Sequence, residues 1–527
     1  MIDLQELPTS EAETLHKSLA LLWPQVRRRH LYPELPFPKL ERSDSRAALE
    51  IRDKQIVLNL DYALAMSSKL PVETVLSGLL DHAISHYTCC PWDLNTHLRL
   101  YATAKELLGK ADLANTVTDL FMDVVADTHA VKQRGSCLPE LYRFSSRNDV
   151  EELVCALYEK IWGVELDARQ HPEEVARLST IPYLDKQKWR QSLRRFIRGI
   201  RPFLERAQES LTSEAVRMGS HSFGRYNQEE IEQALRQFAL EARSPEQFAD
   251  IFEDLQDQLQ KGDPASKAGM GFGKGCPVDA NWLYYMKLAE NFSLPVKKLP
   301  FKDAGSLHPH SHRPWEVGQP IRDVDPWSSF GKYLPGLTQV WERRSGQVFA
   351  REERTPDCLV LIDSSGSMVD PRSQISYAVL GGGCAADSYL RHKAKVAVYN
   401  FSDAAAGAKE FLPFSSSRFL IYRVLCRYFG GGTVLNLDDL SDIIANPDVD
   451  IFMITDMQIT NLDRTIARLS RLKNRVTAVH IGRKSGALRF VRAAVHNHNI
   501  SVFGVEKASD IPRIVLGSVR SYLSHAT

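Results

Sequence analysis

The chain runs to 527 residues and sets 66 Lys and Arg against 65 Asp and Glu, a formal charge of +1. That balance excludes a protein built wholesale for nucleic acid or an anionic membrane, and the length points to about three or four domains rather than one core. With 43% hydrophobic and 25% charged residues the composition is globular, and no apolar run is long enough to span a bilayer.

The opening MIDLQELPTSEAETL lacks the basic-then-apolar order of a secretory signal, so a cytoplasmic protein is expected. The eight cysteines contain no CxxC pair, which argues for buried thiols over disulfides or a thiolate zinc site. Residues 11–29 read as a helix, and Pro33, Pro36 and Pro38 then mark a loop. AALEIRDKQIVLNL alternates on either side of Arg52-Asp53-Lys54 and predicts a hairpin. Helices follow over residues 72–87, 98–108 and 114–132, an α+β pattern.

His82 and His86, four residues apart in the first of these helices, share a face and suit one metal ion. Asp119, Asp123 and Asp127 recur at the same step in the third helix. Like charges at that spacing cost a few tenths of a kcal/mol per pair, so a metal, basic side chains or bulk water should lie against them. The arrangement resembles a zincin-type metallopeptidase domain over about residues 10–145. The resemblance implies Zn2+ on His82, His86 and Asp123, with Asp127 orienting a histidine ligand. The family's general-base Glu is replaced by Ala83, and Asp81 points to a different side of the helix. The domain is therefore expected to hold a structural or vestigial metal without peptidase activity, the metallohydrolase being the alternative. Without a metal, the pair would be two core-edge histidines bonded to Asp119 or Asp123. His97 and His129 are nearby in sequence, and spacing does not select them as ligands.

Residues 149–261 read as helical throughout. Within residues 186–206, Trp189, Leu193, Ile197 and Ile200 form an apolar stripe ringed by Lys and Arg. Such a helix can bind nucleic acid or a membrane surface, but the favoured reading is a packed helix whose charges are solvated or paired to the acidic stretch 229–257. Residues 262–355 form a loop-rich linker. GMGFGKG lacks the phosphate-loop GK[ST] and reads as a flexible connection, and His308, His310 and His312 form a run able to catch a metal that could as easily be a tether.

In CLVLIDSSGSMVD, Leu359 to Ile362 run without alternation, as in a strand buried on both faces of a parallel sheet. Asp363, Ser365 and Ser367 then place three hard oxygens on one loop, which suits Mg2+ or Mn2+. Thr433, after three glycines, and Asp456, at the end of an apolar strand, are expected at the same sheet edge. Alternating strands and helices from residue 356 predict a doubly wound sheet.

This set resembles the von Willebrand factor A-type domain and its metal-ion-dependent adhesion site, over about residues 356–527. The resemblance implies Mg2+ on Asp363, Ser365, Ser367, Thr433 and Asp456, with one position left for an Asp or Glu of a partner protein. It also implies cooperation with a MoxR-type AAA+ ATPase in remodelling or assembly. The expected architecture is multidomain: a zincin-like α+β domain at 1–148, a helical region at 149–261, the linker at 262–355, and an α/β A-type domain at 356–527.

Overall fold

The computed structural model describes residues 10–42, 47–52, 54–145, 147–169, 171–209, 217–220, 223, 226–261, 279–292, 299–301, 307–345, 352–403, 408–482, 488–494, 497–505 and 510. The chain forms two compact units, Met1–Leu288 and Ala289–Thr527. It is multidomain, largely helical in the first unit and α/β in the second. Among the described residues no helix is long and apolar enough to cross a membrane.

The first unit comprises α1 (Ser10–Arg29), β1 (Lys39–Glu41), β2 (Ala47–Arg52), β3 (Gln55–Asn59), α2 (Leu60–Ser67), α3 (Val72–Thr88), α4 (Leu94–Leu108), α5 (Ala111–Arg134) and α6 (Leu138–Phe144). It continues through α7 (Asp149–Tyr158), α8 (Pro172–Ser179), α9 (Trp189–Glu209), β4 (Arg217–Ser220), α10 (Gln228–Glu241) and α11 (Pro245–Lys261) to α12 (Ala280–Ala289). The predicted hairpin is β2 against β3, antiparallel, inside a sheet of order β1-β3-β2-β4.

Helix boundaries follow local chemistry. The Asp93 carboxylate caps α4 by accepting from Thr96 N at 2.7 Å, and Gly109 closes that helix at φ +73°. Alternate residues of β2 and β3 and the inner faces of α1 and α3 share one apolar core that includes Leu19, Ile51, Leu58, Leu79 and Ala83.

Residues 149–261 are not helical throughout: β4 extends the sheet by pairing parallel with β2. Periodicity missed it because a strand of four residues leaves almost no pattern. The basic helix α9 does bury Trp189, Leu193, Ile197 and Ile200. Among the described residues, Arg194 reaches Glu106 at 3.5 Å and Arg201 reaches Glu205 at 2.8 Å, both outside the acidic stretch. The acidic stretch serves α4 instead, where Asp254 meets Lys105 at 2.6 Å and Glu241 meets Arg99 at 2.5 Å.

The second unit comprises β5 (Leu299–Phe301), β6 (Leu307–Pro314), β7 (Gln339–Ser345), β8 (Glu352–Arg354), β9 (Cys358–Asp363), α13 (Tyr377–Arg391), β10 (Val396–Phe401) and β11 (Lys409–Ser415). There follow α14 (Arg418–Leu425), α15 (Ser441–Ile444), β12 (Asp450–Thr455), α16 (Leu462–Leu469), β13 (Val476–Ile481), α17 (Leu488–Ala494) and β14 (Ile500–Val505). The linker thus holds regular structure: β6 pairs antiparallel with β7, placing the HPHSH run in a strand rather than a tether. His312 bonds Asp325 at 2.9 Å and packs against Trp341, the two rings tilted by 37°. The GMGFGKG run and the side chains of His308 and His310 lie outside the described residues.

The main sheet has the order β11-β10-β9-β12-β13-β14, parallel except for the edge strand β11. Successive strands leave β9 in one direction through β10 and return to its other side at β12. The crevice between β9 and β12 is therefore the topological switch point. Leu359 and Leu361 face a core shared with Leu440, Leu462 and Phe490, while Val360 faces α13. Coverage on both faces explains the unbroken apolar run. The glycines inside α13 mark close packing: a Cβ on Gly383 would stand 2.7 Å from the Tyr422 hydroxyl, and one on Gly382 would stand 3.0 Å from Leu425.

Candidate metal centres

The strand order brings the C-terminal ends of β9 and β12 side by side, and with them Asp363 and Asp456. Asp363 is buried and its two oxygens are separately held: one accepts from Ser365 N at 2.9 Å, the other from the Thr455 hydroxyl at 2.6 Å. Burial raises the Asp363 pKa and the nearby Asp456 adds to the rise, while the hydrogen bonds from Thr455 and Ser365 oppose it. The hydroxyls of Ser365 and Ser367 stand 3.2 Å apart. Adjacent ligands of an octahedral Mg2+ are separated by about 3 Å, so this pair fits that shell.

The glycine loop bearing Thr433 is tied to the same place. Gly366 N donates to Gly431 O and Gly430 N donates to Ser364 O, both at 2.9 Å. A Cβ on Gly366 would stand 3.2 Å from Gly431 O, a tight contact that would push the two loops apart by a few tenths of an ångström. Gly430 and Gly431 adopt φ +69° and +82°. The Ser402 hydroxyl bonds the carbonyls of Gly430 and Gly432, and Ser402 O receives Val434 N at 2.7 Å.

Thr433 is buried, and its carbonyl accepts from Thr460 N at 2.9 Å on the Asp456 loop. Met457, next to Asp456, holds a left-handed φ of +62°, secured by its N–H bonding Thr455 Oγ1 at 3.0 Å. Ser367 and Asp456 open together onto a cleft of about 540 Å3.

In the first unit, α3 and α5 lie against each other and bring together His82, His86 and Asp123. The two Nε2 atoms are 3.3 Å apart; Asp123 Oδ1 is 3.3 Å from that of His86 and 3.9 Å from that of His82. His82 Nδ1 bonds Asp127 Oδ1 at 2.7 Å, and His86 Nδ1 bonds the Cys90 carbonyl at 2.7 Å. A carbonyl only accepts, so His86 carries its proton on Nδ1, and the carboxylate favours the same tautomer in His82. Both Nε2 lone pairs then face one point.

Tetrahedral ligands at zinc–nitrogen distance lie about 3.3 Å apart; two of the three separations match that value, the third, from Asp123 to His82, is 3.9 Å, and a fourth position is left. Burial lowers the His82 pKa, but Asp127 and Asp123 overcome it and the net shift is upward. Those carboxylates stabilise positive charge at the ring, whether carried by a proton or by a metal.

Asp127 also accepts from the hydroxyls of Tyr142 at 2.5 Å and Tyr158 at 3.0 Å. Burial, with Asp127 alongside, pushes both phenols well above their ordinary range, so they remain donors. Asp81 points away from the cluster, to Arg29 at 2.7 Å and His30 at 3.0 Å. His97 turns to Tyr226 and Phe223, and neither it nor His129 joins the cluster. Ala83, next to His82, is fully buried in the apolar core.

Sequence reading missed Thr455, Ser402, Tyr142 and Tyr158. Their only signal is a hydroxyl near a strand end or in a helix, which is too common to single out.

No family model matches the chain, and no curated protein matches it. Among solved structures it is similar to the "Crystal structure of Deinococcus radiodurans RO (RSR) protein", at 12% identity over 87% of this chain and 90% of that one, with a TM-score of 0.22.

Proposed function

We propose that the second unit contains a von Willebrand factor A-type domain that binds Mg2+, or Mn2+ in its place, and presents it to an Asp or Glu of a partner protein. The observation that carries this reading is the meeting of three oxygen-bearing loops at the switch point of the sheet, with the Ser365 and Ser367 hydroxyls 3.2 Å apart beside Asp363. Asp363, Ser365 and Ser367 would supply the first loop's oxygens, with Thr433 and Asp456 completing the protein's share. Bound Mg2+ supplies a hard positive centre with positions left for water or an incoming carboxylate.

The chain's own residues hold that centre open. Thr455 aims one oxygen of Asp363, Gly366 lets the glycine loop close in, and Met457 turns the chain beyond Asp456. By the same resemblance the partner is a MoxR-type AAA+ ATPase, the complex acting in protein remodelling or assembly. Affinity capture with wild type and Asp363→Ala, each with and without chelator, tests the reading. A partner lost in both the variant and the chelated sample supports it, and capture indifferent to both ends it.

A second reading concerns the first unit, which we take as a zincin-like domain with a structural Zn2+ on His82, His86 and Asp123, held in place by Asp127. The 3.3 Å separation of the two Nε2 atoms favours it. Buried Ala83 favours a role without hydrolysis, because no carboxylate stands there to take a proton from a metal-bound water.

A further inference from the structure

The connection between β6 and β7, residues 315–338, turns polar side chains inward and apolar ones outward. The buried Asp325 carboxylate accepts from His312 at 2.9 Å, Trp327 N at 3.0 Å and the Ser328 hydroxyl at 2.8 Å. The buried Thr338 hydroxyl accepts from Leu334 N and donates to Lys332 O, both at 2.7 Å, and buried Ser329 takes Gln339 N at 2.9 Å. These bonds fix the frame of the loop. Outside it, Trp327 and Phe330 are each 89% exposed, and Val317, Ile321, Tyr333 and Leu337 are more than half exposed. Phe330 also holds a left-handed φ of +51°, a costly conformation for a bulky residue that the frame imposes while turning its ring to solvent.

Single exposed apolar residues are ordinary, but this many on one loop are not. Aromatic side chains bury about 150–250 Å2 each, so these six offer roughly 700 Å2, above the ~300–600 Å2 of the largest patch on an ordinary monomer. Each partner in a stable interface gives about 800 Å2. Apart from buried Asp325, the loop sets Glu316 and Asp323 against Arg322 and Lys332, so its charge is balanced. A balanced surface exerts no pull on nucleic acid or anionic lipid. It suits a copy of itself, because across a two-fold axis the acids of one loop can lie against the bases of the other.

We propose that the 315–338 loop is a self-association surface through which two copies of this chain form a two-fold symmetric dimer, with Trp327 and Phe330 buried at its centre. The dimer does not rest on either metal reading, and each can fail without the other.

Sedimentation velocity of the full chain, from nanomolar to tens of micromolar, is the test. Wild type is expected to reach twice the chain mass of 59.6 kDa. Trp327→Ser with Phe330→Ser should raise the dissociation constant by about 100-fold or more, since each lost anchor counts on both sides of the two-fold. Arg322→Glu with Lys332→Glu keeps the apolar side chains and makes both loops acidic. That variant should be monomeric at low salt and dimeric again at high salt, where the repulsion is screened, a recovery that a misfolded chain would not show. Leu21→Ser, which removes an exposed apolar side chain from α1, should leave the mass unchanged.

A wild type that stays at 59.6 kDa throughout, or a dimer that persists at low salt in either loop variant, overturns the proposal. So does a charge variant that high salt fails to restore, or dissociation by Leu21→Ser. Flotation of a monomeric wild type with phosphatidylserine–phosphatidylcholine vesicles would assign the loop to a membrane surface instead.

Discussion

The Nε2 atoms of His82 and His86 stand 3.3 Å apart, and the other nitrogen of each ring is committed, to Asp127 and to the Cys90 carbonyl. Two imidazole lone pairs held this close repel unless a cation lies between them. Elemental analysis of purified protein is expected to find about one zinc per chain, lost in His82→Ala. Asp127→Asn, which keeps the side-chain shape and weakens the orientation of His82, should lower zinc affinity by about 10- to 100-fold. Wild-type protein without zinc would end the proposal for this centre.

Ala83 bears on hydrolysis. Because the position is sealed in the apolar core, Ala83→Glu buries a carboxylate rather than restoring a base. The variant is expected to lose roughly 3 kcal/mol of stability in denaturant unfolding and to gain no cleavage of a casein substrate. Cleavage by the variant, with stability unchanged, would show that the position faces the metal after all.

The hydroxyl of Thr455 joins β12 to β9 through Asp363 Oδ2 at 2.6 Å. Thr455→Val keeps the shape and removes the donor. Calorimetry should show Mg2+ affinity reduced about tenfold, a charge-assisted hydrogen bond being worth about 1.5–3 kcal/mol. Asp363→Ala should abolish Mg2+ binding. Equal affinity in wild type and both variants would remove Asp363 from the centre.

Gly366→Ala tests the contact between the two loops. The added methyl would press on the Gly431 backbone, which has no flexible side chain to move aside. Mg2+ affinity is expected to fall while the melting temperature changes little, since both loops lie outside the sheet core. A variant that binds Mg2+ as wild type does would show that the loops close without this contact.

His129 gives a pH signature. Burial, with Arg134, His30 and Lys186 nearby, lowers its pKa from 6.5 to about 4. As pH falls below the unfolded value, the unfolded chain takes up this proton first, so stability is full above about 6.5 and lost toward 4. Urea unfolding should show roughly 2 kcal/mol lost between about pH 7 and about pH 5 through this group. The loss should shrink by that amount in His129→Asn, and an identical pH dependence in the variant would discard the assignment.

Much of both centres was legible in local spacing. Asp363, Ser365 and Ser367 lie within one turn of chain, so their oxygens cannot be far apart. His82 and His86 share a helix face by geometry alone, and the unbroken run before Asp363 follows from a strand covered on both sides. Strand β4 was invisible, because its pairing with β2 joins Leu49 to Gly219 across most of the first unit.

From the sequence alone came the donor residues, their spacing within each loop or helix, and the alternation that dictates an open α/β sheet. Tertiary structure alone decided which donors meet: that Asp123 Oδ1 comes within 3.3 Å of His86 Nε2; that Tyr142 and Tyr158 hold Asp127; that Thr455 aims Asp363; and that a cleft adjoins Asp456. The physical reason is that helix and strand periods report which face a residue takes. Hydrogen-bond partners far apart in sequence are chosen by how packed elements come to rest against each other.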